Sequence, residues 1–94
     1  MGIIDVNRLG QSAATSLQHE MLTYQMRWQS YGWYSIVIEG NSVEHIVKAF
    51  DEAASIKGRP VMILAKTYKG AGILIFTCLH FCCLMIKILF VLLV

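Results

Sequence analysis

The feature that limits the possible folds most is an uninterrupted run of apolar residues, VMILA, at positions 61–65. A short continuous run of this kind is typical of a β-strand that is covered on both of its faces, as in a parallel sheet. Pro60, directly before the run, prevents a preceding helix from continuing into it. The chain is therefore expected to contain a parallel sheet with helices packed on it.

Two further stretches resemble strands and fit the same sheet. Residues 1–6 are short and contain Ile3, Ile4 and Val6, and Asn7 and Gly10 then break the run into a loop. Residues 33–39, WYSIVIE, are β-branched and aromatic, as strands usually are, and are followed by a turn at Gly40.

Each gap between these strands carries a helical pattern. In the first gap, apolar residues recur at helical spacing and predict a helix with its N-cap at Thr15 or Ser16 and its end at Gly32. The stripe, expected to be an aromatic core face, comprises Leu17, Met21, Tyr24, Trp28 and Tyr31.

The second gap has clearer helix boundaries. Ser42 is a good N-cap, and Glu44 lies in the first turn, where the helix dipole favours a negative charge. Lys57 is expected in the last turn, with Gly58 just after the helix. The predicted apolar face comprises Val43, Ile46, Val47, Phe50 and Ala54.

The predicted fold class is therefore α/β, a parallel sheet in the order strand, helix, strand, helix, strand. The carboxyl ends of parallel strands meet at one edge of the sheet, where open α/β folds bind ligands. The Asn7 loop and the loop of residues 66–72 both follow strand ends, so we expect them to share that edge. Asn7 offers an amide oxygen, which is a ligand type that a hard cation such as Mg²⁺ accepts.

Composition divides the 94 residues into two parts, 1–70 and 71–94. The first part holds thirteen of the fourteen charged residues, all but Lys87, and the second holds all three cysteines. The net charge of +2 is spread over residues of both signs, so we expect no nucleic-acid-binding surface. The N-terminus has neither the basic start nor the apolar core of a signal peptide.

The second part is long and apolar enough to cross a membrane as a helix. Fifteen of the 23 residues at positions 72–94 are Leu, Ile, Phe or Val, and a helix of this length spans roughly 34 Å. Lys87 opposes insertion by about 3 kcal/mol at most. The alternative interpretation is non-native coding, such as read-through into an intron or a frameshift.

Several blocks in order carry a resemblance to a known family. They are DVNRLGQS, LQHEMLTYQMR, GW, EGNSVE, KAF and AKTYKGAGI, and they extend from about Ile3 to Ile73. Together they resemble transketolase, a homodimeric, cytoplasmic thiamine-diphosphate enzyme that moves a two-carbon ketol unit between sugar phosphates. The resemblance implies that residues 1–70 form part of its pyrophosphate-binding domain.

The resemblance also implies roles for individual residues. Asn7 matches a metal ligand through its side-chain oxygen, and Leu9 matches a metal ligand through its backbone carbonyl. Gln11 and Lys69 match positions that bind thiamine diphosphate. The expected cofactors are thus thiamine diphosphate and Mg²⁺, and the expected substrates are sugar phosphates.

The departures from the family limit what this chain can do. The family's Gly-Asp-Gly motif, whose Asp ligates the metal, is absent from the 94 residues, as are the family's active-site histidines and its glutamate-bearing catalytic domain. We therefore expect a fragment that is inactive alone and has no catalytic residue. The alternative is a tail-anchored, single-pass membrane protein in which residues 1–70 are a non-catalytic relic.

Overall fold

The computed structural model describes residues 1–10 and 13–72. Within them, three strands and two helices alternate: β1 (Gly2–Val6), α1 (Met21–Ser30), β2 (Tyr34–Glu39), α2 (Val43–Ser55) and β3 (Val61–Lys66). The predicted α/β class and element order are confirmed. The predicted C-terminal helix lies almost entirely outside the described residues, so the division at residue 70 stays a prediction.

All strand pairs are parallel, and β3 lies between β1 and β2. The apolar run that predicted a doubly covered strand therefore occupies the centre of the sheet. Its residues 61–65 are all buried, and Ile63 and Leu64, whose side chains point to opposite faces, are 1% and 0% exposed. Both faces of β3 are therefore covered.

α2 covers one face through small side chains. Ala49 and Ala53 are buried against Ile36, Ile38 and Ile63, and Ile46 is partly buried beside them. The predicted apolar face of α2 was wrong in part, because Val43, Val47 and Phe50 are 75%, 54% and 41% exposed and Ala54 is also exposed. Alanine lets the helix axis approach the sheet closely, which turns the larger residues outward.

Only the N-terminal end of α2 lies where the sequence signals placed it. The Ser42 hydroxyl accepts a hydrogen bond from the backbone N–H of His45 at 3.4 Å, so the predicted N-cap is confirmed. The helix ends at Ser55, two residues before Lys57. Gly58 does adopt a left-handed backbone, with φ +80°, but in the loop that follows rather than next to the helix.

α1 contacts β2 and β3 and begins later than predicted. It starts at Met21, with Glu20 rather than Thr15 or Ser16 at the N-cap position. Gln18 has a backbone φ of +45°, so a right-handed helix that began at Thr15 or Ser16 could not continue through it.

The end of α1 was predicted correctly, because Gly32, with φ +84°, follows the helix. The burial of its stripe was not, since no residue of α1 is fully buried and Tyr31 is 74% exposed. The stripe is thus a half-buried face, and its last residue was assigned wrongly.

No helix within residues 1–10 and 13–72 is long and apolar enough to cross a membrane. The predicted membrane-crossing segment, residues 72–94, lies outside the described part of the chain apart from Gly72.

The central position of β3 gives a direct stability prediction. Leu64→Ala should lower the free energy of unfolding by about 2–5 kcal/mol, because it leaves a cavity under a fully buried side chain. Leu22→Ala removes the same atoms from a residue that is 68% exposed, and should cost less than about 0.5 kcal/mol. Urea unfolding of the full chain measures both, and equal losses would contradict the placement of the core.

Candidate functional site

The loop after β1 is shaped by Asn7 and Arg8. The Asn7 side-chain oxygen accepts a hydrogen bond from the backbone N–H of Leu9 at 3.1 Å, which forms a local Asx turn. Arg8 has a φ of +62°, an unusual backbone conformation for a residue other than glycine. The turn closes where the Gly10 N–H donates to the Ala13 carbonyl at 2.6 Å. This geometry fixes the direction of the Asn7 amide oxygen and of the Leu9 carbonyl.

The loop after β3 is held at the same edge by contacts to both neighbouring strands. The Thr67 N–H donates to the Val6 carbonyl at 3.1 Å, and the Thr67 hydroxyl donates to the Asp5 carboxylate. On the other side, the Tyr68 N–H donates to the Asn41 side-chain oxygen at 3.0 Å. Three strand ends therefore meet in one place, as the parallel sheet predicted.

Gly40, in the turn after β2, permits this close approach. Its N–H donates to the Lys66 carbonyl at 2.7 Å. A Cβ atom at Gly40 would lie 2.5 Å from the Thr67 methyl group and 2.9 Å from the Ala65 Cβ. Only glycine leaves room for the loop that carries Lys69.

Lys69 connects the two loops directly. Its Nζ lies 3.3 Å from the Leu9 carbonyl oxygen and 3.3 Å from the Gly10 carbonyl oxygen, across about sixty residues of sequence. Asn7, Leu9 and Lys69, which the sequence predicted to share one edge, are therefore brought together. Gln11 lies outside the described residues.

Several side chains at this edge were missed by sequence reasoning. His19 is partly buried, and its Nε2 lies 2.9 Å from the Thr67 carbonyl oxygen. Its ring meets the Tyr68 ring edge-on at 4.8 Å between centroids. The Arg8 guanidinium and the Lys66 ammonium lie 5.9 and 5.7 Å from the centre of the same Tyr68 ring.

The site therefore collects cations around an exposed aromatic ring. Arg8, Lys66 and Lys69 bring three positive charges to the edge, against the carboxylates of Asp5 and Glu39. Lys66 and Glu39 are 3.9 Å apart and partly neutralise each other. Arg8 and Lys69 are the remaining cations, and two positive charges at one edge suit an anion with several oxygens.

The oxygen atoms available for a metal are fewer and mostly neutral. The loop presents the Asn7 amide oxygen and the Leu9 carbonyl, and an ammonium group already lies at the second of these. Asp5 accepts hydrogen bonds from Thr67 and, at 3.4 Å, from the Asn7 amide nitrogen. In the described residues no group of three His, Cys, Asp or Glu side chains could hold a metal ion. These residues fit one side of a metal–diphosphate complex and do not fit a metal ion bound by protein alone.

The fold and the site together define a class: a parallel α/β domain whose cationic loops lie at the carboxyl edge of the sheet, the edge at which open α/β folds bind ligands. The sequence model of the family described as "Transketolase, thiamine diphosphate binding domain" matches residues 2–79. The chain belongs to the transketolase family.

Individual relatives agree with this assignment. The chain is 49% identical over 73 residues to transketolase from Homo sapiens. It is 45% identical over 73 residues to transketolase-like protein 2 and 39% identical over 72 residues to transketolase-like protein 1, both from Mus musculus. These matches cover 77–78% of this chain but only 11–12% of the relatives.

The tight packing at Gly40 gives a prediction for the site. Gly40→Ala should push the Thr67 loop away and lower the free energy of unfolding by about 1–3 kcal/mol, because the new methyl group meets Ala65 and the Lys66 carbonyl as well as Thr67.

Gly2→Ala is the matched control, since its Cβ would meet chiefly the Met62 side-chain end, at 2.7 Å from Cε, which can move aside. Urea unfolding compares the two variants. A loss for Gly2→Ala as large as that for Gly40→Ala would contradict the close packing at the turn.

Proposed function

We propose that residues 1–70 form one wall of a thiamine-diphosphate site and hold the diphosphate end of the cofactor. The observation that carries this proposal is the position of Lys69, whose ammonium group lies against the loop that bears Asn7 and Leu9. Family membership supports the choice of thiamine diphosphate, and the cations at the edge support an anionic ligand.

Each residue has a separate role in this proposal. Lys69 binds a diphosphate oxygen as a point charge. Gln11 is proposed as a cofactor-binding residue from the family resemblance alone. The Asn7 amide oxygen and the Leu9 carbonyl contribute two neutral ligands to Mg²⁺, with diphosphate oxygens supplying further ones. Thiamine diphosphate, when bound, supplies the carbanion chemistry of ketol transfer, and the protein supplies binding and orientation.

The Lys69 ammonium also suggests an order of binding. Mg²⁺ alone would have to approach a carbonyl that already lies next to a positive charge. A diphosphate gives the ammonium another partner and adds negative oxygens for the metal. We therefore expect metal to bind together with the diphosphate and only weakly without it.

We propose that the 94 residues alone do not transfer ketol units between sugar phosphates. They contain no Gly-Asp-Gly motif, so the carboxylate that the family uses for the metal is not supplied. A turnover assay of the purified chain is expected to match a buffer blank, and activity above that blank would overturn this part of the proposal.

We also propose a cytoplasmic location, on the basis of the same family resemblance.

Calorimetric titration of the full chain in mild detergent tests the cofactor site. Thiamine diphosphate with Mg²⁺ should give saturable heat, whereas Mg²⁺ alone should give little. Asn7→Ala and Lys69→Met should each weaken binding about tenfold or more, since each removes a proposed contact to the metal–diphosphate complex.

Lys57→Met is the matched control for charge, because Lys57 is exposed and follows α2, far from the carboxyl edge of the sheet. It should leave the titration unchanged. Absence of heat in the unaltered chain, or an equal loss in Lys57→Met, would refute the proposed site.

A second candidate function is attachment to a membrane through residues 72–94, favoured by the apolar composition of that segment. Alkaline carbonate extraction of cells that express the chain distinguishes the two. A chain anchored by this segment should remain in the membrane pellet, and deletion of residues 73–94 should release it. Recovery of the full chain in the supernatant would exclude anchoring.

A further inference from the structure

A cavity lies at the opposite edge of the sheet from the Lys69 loop, where β2 begins and the chain enters β3. Its volume is about 420 Å³, which is within the usual range for small-molecule sites. Side chains from the second half of α1, the start of β2 and the loop before β3 line it: Gln25, Gln29, Trp33, Tyr34, Ser35 and Arg59. Four of these six side chains are strongly polar, so the cavity suits a polar ligand.

Ser35 supplies a buried hydroxyl to this lining. The residue is 8% exposed, and its hydroxyl oxygen has no hydrogen-bond partner. Buried hydroxyl groups in proteins are nearly always hydrogen-bonded, so an unpaired one in a residue that lines the cavity points to a missing partner. The Ser35 backbone carbonyl accepts a hydrogen bond from the Gln25 side-chain nitrogen at 3.4 Å, which holds Gln25 beside it.

Arg59 supplies a positive charge at the same place. Its guanidinium carbon lies 4.9 Å from the centre of the Tyr34 ring, a cation–π contact that holds the group in position. In the described part of the chain the ion pairs are Lys48–Glu44 and Lys66–Glu39, and neither involves Arg59.

A carboxylate also lies near the Tyr34 ring, and it accepts a hydrogen bond from a partner other than Arg59. The Tyr34 hydroxyl donates a hydrogen bond to the Glu52 carboxylate at 2.7 Å. This bond and the nearby negative charge of Glu52 raise the pKa of Tyr34. Among the described residues Arg59 makes no hydrogen bond or ion pair, so its guanidinium keeps N–H groups that can bind an oxyanion in a forked geometry.

We propose that this cavity binds a small hydroxylated anion, with its phosphate or carboxylate group at Arg59 and its hydroxyl groups at Gln29 and Ser35. The guanidinium recognises the oxyanion, the Gln29 amide can both donate and accept, and the Ser35 hydroxyl gains the partner that it lacks. Trp33 forms the apolar part of the wall. This site is separate from the cofactor edge, and neither site depends on the other.

The test uses the full chain in mild detergent and the fluorescence of Trp33, which lines the cavity. Glycerol 3-phosphate and glycerate are the two anionic probes, and glycerol is the neutral control. We expect saturable fluorescence changes with a Kd of about 1 mM or tighter for at least one anion, and none for glycerol. The anion that binds more tightly identifies the head group.

Two variants separate the anion and hydroxyl contributions. Arg59→Gln should weaken anion binding about tenfold or more, whereas Arg27→Gln, which removes an exposed charge from α1 outside the cavity, should change nothing. Ser35→Ala should weaken binding several-fold while the far-ultraviolet circular dichroism and the unfolding midpoint are maintained, since its hydroxyl makes no bond within the protein.

Three results would overturn the proposal. They are no saturable change with either anion, equal binding of glycerol, or an Arg59→Gln variant that binds as the unaltered chain does. None of these results bears on the titration with thiamine diphosphate, so the two proposals are tested independently.

Discussion

The structure depends on the pairing of β3 with a strand on each side. β3 takes its place between β1 and β2 although it comes last in the chain, and its residues 61–65 are buried on both faces. The loop that follows it is consequently held from two directions, by Val6 on one side and by Gly40 on the other. A single buried strand therefore determines both the core of the domain and the position of Lys69.

The same arrangement explains why charged groups gather at one edge and a polar cavity lies at the other. All three strands run in one direction, so the loops after β1, β2 and β3 meet at their carboxyl ends. Lys69 reaches the Leu9 and Gly10 carbonyls there because Thr67 and Tyr68 are already fixed by hydrogen bonds. At the amino ends, Arg59 is held over Tyr34 by the turn that leads into β3. The proposed diphosphate site and the proposed anion cavity thus share a scaffold but no side chain.

Much of the fold could be read from local sequence signals. The apolar run at residues 61–65, the β-branched residues of β2, the Ser42 N-cap and Gly32 after α1 all have local physical meanings, and the structure confirms them. The exposed side of α2 could not be read in this way, because Ala49 and Ala53 are less hydrophobic than Val47 and Phe50 yet are the residues that touch the sheet. The side of α2 that faces the sheet is decided by how closely the helix can approach the sheet, and that distance depends on tertiary packing.

The candidate site shows the same limit. The shared edge of Asn7, Leu9 and Lys69 followed from parallel strand direction and from family resemblance. The contact between His19 and the Thr67 carbonyl joins residues 48 apart, and no local signal marks it. That contact and the left-handed Gln18 also account for the late start of α1. One long-range hydrogen bond and local turns therefore take the place of the helical turn that the periodicity predicted.

The central claim is that the Asn7 loop and Lys69 face a single metal–diphosphate ligand. Nuclear magnetic resonance of the ¹⁵N-labelled full chain tests it, with Mn²⁺ added together with thiamine diphosphate as a paramagnetic probe. The account predicts that the amide signals of Leu9, Gly10 and Lys69 broaden together at low probe concentration, while those of Ser55 and Gly58 at the far edge stay sharp. Broadening of only one of the two loops, or equal broadening at both edges, would contradict it.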